Sequence, residues 1–228
     1  VPVVMITNPA DDAWLTNASQ AISGWASNQV GQVSGVRLSI NGGAYNLVSG
    51  TTNWVSNATV VQGTNIFVAV ASNQYGRVAT NIQTNFVDLT PPVLAITNPD
   101  AAGATMAGVF TFRGTNWDDF APITGLWWRT NASAAWIPVS GSSNVWAVSI
   151  DTTTLTNGPF RFEVMSSNAA GWVVTRLQTN YASNVVPTVM ITNPADDVWL
   201  TNASQAISGW ASNQVGQVSG VRLSINGG

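Results

Sequence analysis

The 228-residue sequence predicts an all-β protein built from small sandwich domains in tandem. Two features point there. Where apolar residues recur regularly they do so with a period of two, and no stretch carries a helical period of 3.6. The chain also repeats itself: residues 1–43 return as residues 186–228 at an offset of 185, differing only at Val3/Thr188 and Ala13/Val198.

A shorter repeat lies inside the long one. Pro2-Val-Val-Met-Ile-Thr-Asn-Pro9 returns as Pro92-Val-Leu-Ala-Ile-Thr-Asn-Pro99 and again as Pro187 to Pro194, at spacings of 90 and 95 residues. Fixed-period self-similarity sets domain boundaries. The expected units are therefore 1–90, 91–185 and 186–228, the last being the N-terminal part of a third domain. The 185-residue repeat is then a two-domain cassette. Residues 44–90 already have a partner in 1–43, so 186–228 is expected to open the next cassette of a longer array rather than to be completed by another chain.

Within each unit the strands read in order. Val36, Leu38 and Ile40 alternate with Arg37, Ser39 and Asn41, and Ile66, Val68 and Val70 line one face of a later strand. In the second unit Phe110 and Phe112 alternate with Thr111 and Arg113, and Phe160, Phe162 and Val164 with Arg161 and Glu163. Asn41-Gly42-Gly43, Ser49-Gly50, Gln62-Gly63, Ser140-Gly141 and Asn157-Gly158 supply turn positions that favour positive φ. Six to eight short strands in about 90 residues make a β-sandwich.

The order of these segments resembles bacterial immunoglobulin-like repeats. The residues that carry the likeness are Pro-x-Val-x-Ile-Thr-x-Pro, then Ile-Ser-Gly-Trp-Ala-Ser, Val-Ser-Gly-Val-Arg-Leu-Ser-Ile-Asn-Gly-Gly, Thr-Thr-Asn-Trp and Gly-Thr-Asn-Ile-Phe-Val-Ala-Val-Ala-Ser-Asn-Gln-Tyr-Gly. Asp88-Leu-Thr-Pro-Pro92 is similar to the linkers that join such domains. The resemblance implies tandem immunoglobulin-like sandwiches in a linear array, used as stalks, adhesins or appendages of enzymes. Many relatives carry Asp where Asn73 and Asn168 stand, which weakens an inherited calcium role there. By the same analogy Trp54 and Trp146 enter the core from equivalent strands, and Trp128 is in phase with the inward Leu38. Gly24 and Gly114 are expected where the sheets approach closely or a strand bends.

Composition removes several functions. Charged residues make up 7% of the chain, against about 25% in ordinary soluble domains. There is no Lys, His or Cys, and Glu163 is the only Glu. A net charge of −3 with scattered Arg offers no stripe for phosphates, so no nucleic-acid partner is expected. No apolar run approaches a membrane span. Acid–base chemistry would fall to Asp or Glu163 alone, and no pair of carboxylates is spaced for it, so the chain is not expected to be an enzyme. No cofactor is expected. For calcium, which takes six to eight oxygens, the loop residues Asp11, Asp12, Asp88, Asp118 and Asp119 are the contributors on offer. Their spacing matches no defined calcium loop, and turn chemistry accounts for them.

The aromatic residues remain. If Gly24 and Ala26 point inward, Trp25 and its copy Trp210 point outward, and Trp127 faces away from Trp128. Trp14 and its copy Trp199 fall in a loop-like stretch. These five are the interface candidates, for contact between domains, between chains or with a glycan; the competing reading is a strand phase wrong by one, which makes them core. Asn17, Asn57, Asn131 and Asn202 open N-glycosylation patterns, frequent by chance in a chain this rich in Asn, Ser and Thr. The function these features imply is a structural segment of a long extracellular or cell-surface repeat protein that associates with itself into a fibre, sheath or filament. The alternative is an adhesin stalk or a carbohydrate-binding module of a larger secreted protein. Replacing Trp25 and Trp127 with Ser is expected to weaken assembly and spare the fold.

Overall fold

The computed structural model describes residues 1–131, 135–140, 144–214 and 217–226. Gly141 of one expected turn, Ala132-Ser133 of one glycosylation pattern and the final Gly227-Gly228 lie outside the described residues. The only helix among the described residues is a 3-10 turn, Thr152–Thr154, so no helix there is long and apolar enough to cross a membrane.

Eight strands form the first sandwich: β1 (Pro2–Asn8), β2 (Trp14–Leu15), β3 (Ser19–Asn28), β4 (Val33–Ile40), β5 (Asn46–Leu47), β6 (Asn53–Thr59), β7 (Gly63–Asn73) and β8 (Val78–Val87). One sheet runs β1-β3-β6 and the other β2-β8-β7-β4-β5, with β2 parallel to β8. Strands β9 (Val93–Asn98), β10 (Thr105–Met106), β11 (Val109–Trp117), β12 (Ile123–Thr130), β13 (Ile137–Pro138), β14 (Val145–Asp151), β15 (Gly158–Asn168) and β16 (Val173–Ala182) repeat this topology as β14-β11-β9 and β10-β16-β15-β12-β13. Two further strands, β17 (Thr188–Asn193) and β18 (Ser208–Ser212), pair with each other. The fold is a tandem array of immunoglobulin-like β-sandwiches.

The alternating pattern decides which side chains meet. Ile22, Val36, Leu38, Trp54, Phe67, Ala69, Ala71 and Val87 are buried together in the first core. On β7 the buried face is Phe67, Ala69 and Ala71, whereas Ile66 is exposed and Val68 and Val70 are half-buried. That strand is apolar on both faces, so its period marked a strand without saying which side turns inward. In the second core Phe112 stacks on Phe162 with centroids 3.9 Å apart, and Trp146 and Trp128 flank Phe162 at 6.2 Å.

The two expected glycines have one job. Gly24 stands opposite Trp54 and Gly114 opposite Trp146 in the strand ladders. A methyl group on Gly24 would come 2.6 Å from the Trp54 ring and collide with the Met5 carbonyl. One on Gly114 would collide with the Ala95 carbonyl and the Trp146 ring. The missing side chain makes room for the indole.

Two compact units emerge. One comprises Val1–Val93, Asn116–Leu126 and Ser166–Val174; the other comprises Leu94–Thr115, Trp127–Met165 and Thr175–Gly228.

Candidate functional site

Within the first compact unit, Asp88, Asp118 and Asp119 converge until one carboxylate oxygen of each lies within 4.8 Å of the others. Asp88 is buried, Asp118 half-buried and Asp119 exposed. Asp88 ends up there because its main-chain N–H donates to Leu15 at the close of β8, and its carbonyl accepts from Trp172 Nε1 at 3.0 Å. Asp118 is fixed by a turn, its Oδ1 accepting from the amides of Phe120 and Ala121. Packing of Trp14 against Phe86 and Phe120, at 5.1 and 5.5 Å, lies within the same unit.

Neutral donors fill the space between these carboxylates. Asn168 Nδ2 donates to Asp88 Oδ2 at 2.7 Å and to Asp118 Oδ2 at 2.9 Å. Gln62 Nε2 reaches Asp88 and Asp119, and the Thr90 hydroxyl donates to Asp119 at 2.6 Å. Asn168 Oδ1 meanwhile accepts from the amide of Trp172. A carboxylate at 168 would be an acceptor only, so an amide is the side chain that both closes that turn and bridges two acids. The three acids and Asn168 stand out in the sequence, whereas nothing there marks Gln62, Thr90 and Trp172 as their partners. Gln62 and Trp172 reach Asp88 from 26 and 84 residues away, and Thr90 reaches Asp119 from 29, separations that leave no local trace.

Asp11 and Asp12 stand apart from this cluster. Asp11 Oδ1 accepts from the Thr84 amide at 2.9 Å, and Asp12 takes φ 59° while its amide donates to the Thr84 carbonyl. They are turn residues pinned to β8.

The tryptophans divide into three groups. Trp54 and Trp146 are buried in their cores. Trp128 is half-buried, its ring tilted against the buried Phe162 ring at 6.2 Å and its backbone paired with Ile137 of β13. Trp14 is not in a loop but in β2, half-buried against Phe86 and Phe120. Its copy Trp199 is 96% exposed. Trp25 is 36% exposed on the outer face of β3, directly opposite the exposed Met5 on β1. Trp210 and Met190 form the same exposed pair across β18 and β17. Trp127 is half-buried on β12 opposite Pro138.

This fold and these motifs define a class, and comparison with known proteins agrees with it. Residues 2–65 match the family model described as a bacterial Ig domain, the kind of repeat the sequence resembles. Among solved structures, a marsupial T cell receptor superposes with a TM-score of 0.50 at 10% identity, over 84% of this chain and 77% of its own. The fibronectin(III)-like modules of Clostridium thermocellum CbhA give 0.47 at 16% identity, over 79% and 94%. A tetra-tandem repeat from the extending region of a large adhesion protein gives 0.37 at 14%, over 93% and 62%. At these identities the likeness concerns the fold alone. No curated protein matches the sequence.

Proposed function

We propose that this chain is a structural segment of an extracellular or cell-surface tandem-repeat protein, and that it associates with itself through patches that recur once per cassette. The observation that carries the reading is the outward pair Met5–Trp25, present again as Met190–Trp210. Val3 extends the first patch along β1 on the same face. The corresponding positions of the second domain, aligned through Gly24 and Gly114, are Ala95 and Thr115, which are too small to make such a patch. An exposed aromatic beside a thioether, on a surface with few charges, is the composition of a contact between chains. Repetition at a fixed interval turns one weak contact into many. Head-to-tail contacts whose rotation does not close extend into filaments, which is the assembly proposed.

The test is assembly of the purified chain, followed by light scattering and electron microscopy. Wild type should form elongated assemblies, and the Trp25→Ser/Trp210→Ser double variant should remain monomeric with an unchanged unfolding midpoint. Normal assembly by the double variant would sink the proposal.

A further inference from the structure

One face of β12, β13 and β15, which stand side by side, carries a cluster of two Arg and one Glu. Glu163, the only Glu, is 4% exposed there, although of its neighbours on that face of β15 Arg161 is exposed and Met165 half-buried. Two guanidinium groups hold it. Arg129 meets its Oε2 through Nη2 at 2.6 Å and Nε at 2.7 Å, and Arg161 meets its Oε1 through Nη2 at 3.1 Å. Arg129 also lies over the ring of Trp136, 4.3 Å from the centroid. Trp127 precedes Arg129 by two residues and therefore shares its face.

The fold does not require this array. The first sandwich has the same clasp at this edge, Asn41 Oδ1 accepting from the Ile66 amide as Asn131 Oδ1 accepts from that of Arg161. Aligned on the clasp, the first sandwich places the pair Ser39–Val68 where Arg129 and Glu163 stand, and Ile66 in place of Arg161. A neutral version of this sheet is therefore stable, and the charged version is an addition to the second.

Two Arg against one Glu leave an excess positive charge, and the Arg161 side chain is 48% exposed. A guanidinium partly turned to solvent beside flat indole faces suits a ligand that combines a carboxylate with a broad, weakly polar ring. Trp127 and the rung of Arg161, level with Asn131, are four residues apart, or about 13 Å along the strand, so the ligand is a short stretch of chain rather than a single ring. We propose that this face binds an acidic polysaccharide, a uronate carboxylate meeting Arg161 while a sugar ring rests on Trp127. The buried Glu163, paired with the half-buried Arg129, holds the platform and fixes the orientation of Arg161.

The probes are an oligogalacturonate and a neutral cello-oligosaccharide of equal length, titrated into the 228-residue chain by calorimetry with tryptophan fluorescence in parallel. The acidic oligomer is expected to bind and quench fluorescence, and its binding to weaken as salt is raised. Arg161→Gln should weaken it about tenfold or more while leaving the far-ultraviolet spectrum and unfolding midpoint intact. Trp127→Ala should remove the quenching; should it unfold the protein, Arg161→Gln still decides. Absence of binding by wild type, equal binding of the neutral oligomer, or full binding by Arg161→Gln overturns the proposal.

Discussion

Trp54 and Gly24 act as one packing unit, and so do Trp146 and Gly114. Each indole lies over a strand where a side chain is absent, so the ring is enclosed without spreading the sheets. Trp54→Ala should cost about 3–5 kcal/mol in urea unfolding, as large aromatic truncations in closed cores do. Gly24→Ala should cost about 1–3 kcal/mol, since the new methyl has the Met5 carbonyl on one side and the indole on the other. Asp151 illustrates a smaller effect. Its carboxylate accepts from the Thr153 hydroxyl at 2.7 Å and the Thr153 amide at 3.0 Å, which holds its pKa below the usual value. A depressed carboxylate pKa stabilises the fold above the unfolded-state pKa, and that contribution fades as pH falls through the folded-state value. The stability difference between wild type and Asp151→Ala should therefore be full at neutral pH and shrink in acid below pH about 3.9; a difference constant from neutral to strongly acid pH would contradict it.

At the scale of elements, the chain performs its own control experiment. Residues 1–43 and 186–228 are almost identical, yet they do not form the same strands. Met5 opposite Trp25 is reproduced as Met190 opposite Trp210, including the register shift after Ile6 and Ile191. Ser19–Ile22, however, are strand in β3, where they pair with β6, and their copies are not. Trp14 and Leu15 pair with β8, and Val33–Ile40 with β7, whereas the described copies of these residues are in no strand. A segment becomes a strand where a partner accepts its hydrogen bonds and covers its apolar face. The loops that hold Asp88 and Asp118 depend on distant partners in the same way. Asn168→Ala removes the amide between two carboxylates and should destabilise the protein by about 1–3 kcal/mol in thermal or urea unfolding. Because Asn168, Gln62 and Thr90 already occupy those oxygens, chelation with EDTA should leave the unfolding midpoint of wild type unchanged.

For the whole molecule, seven Arg and no Lys give trypsin few places to cut. Arg37, Arg113, Arg129, Arg161 and Arg176 lie in strands, and Arg77 sits in the tight turn between β7 and β8. Arg222 is exposed and outside any strand. Cleavage needs a locally opened backbone, so limited trypsin should cut after Arg222 before any other site, as mass spectrometry of the first fragments will show. The periods of two, 90–95 and 185 residues were enough to determine an all-β tandem array, because alternation and repetition are local properties of the string. Outward Trp25 followed from the same alternation, inward Trp54 from the family resemblance, and the turn at Asp12 from the turn chemistry of Asp, its positive φ recurring at Asp197. Tertiary structure alone decided which face of β7 is buried, how far Trp128 is enclosed, that Gln62 and Asn168 bridge three acids, and that Glu163 sits between two Arg beside Trp136. Each of those outcomes depends on groups brought together from strands far apart in the chain, and burial and electrostatic pairing act through space rather than along the sequence.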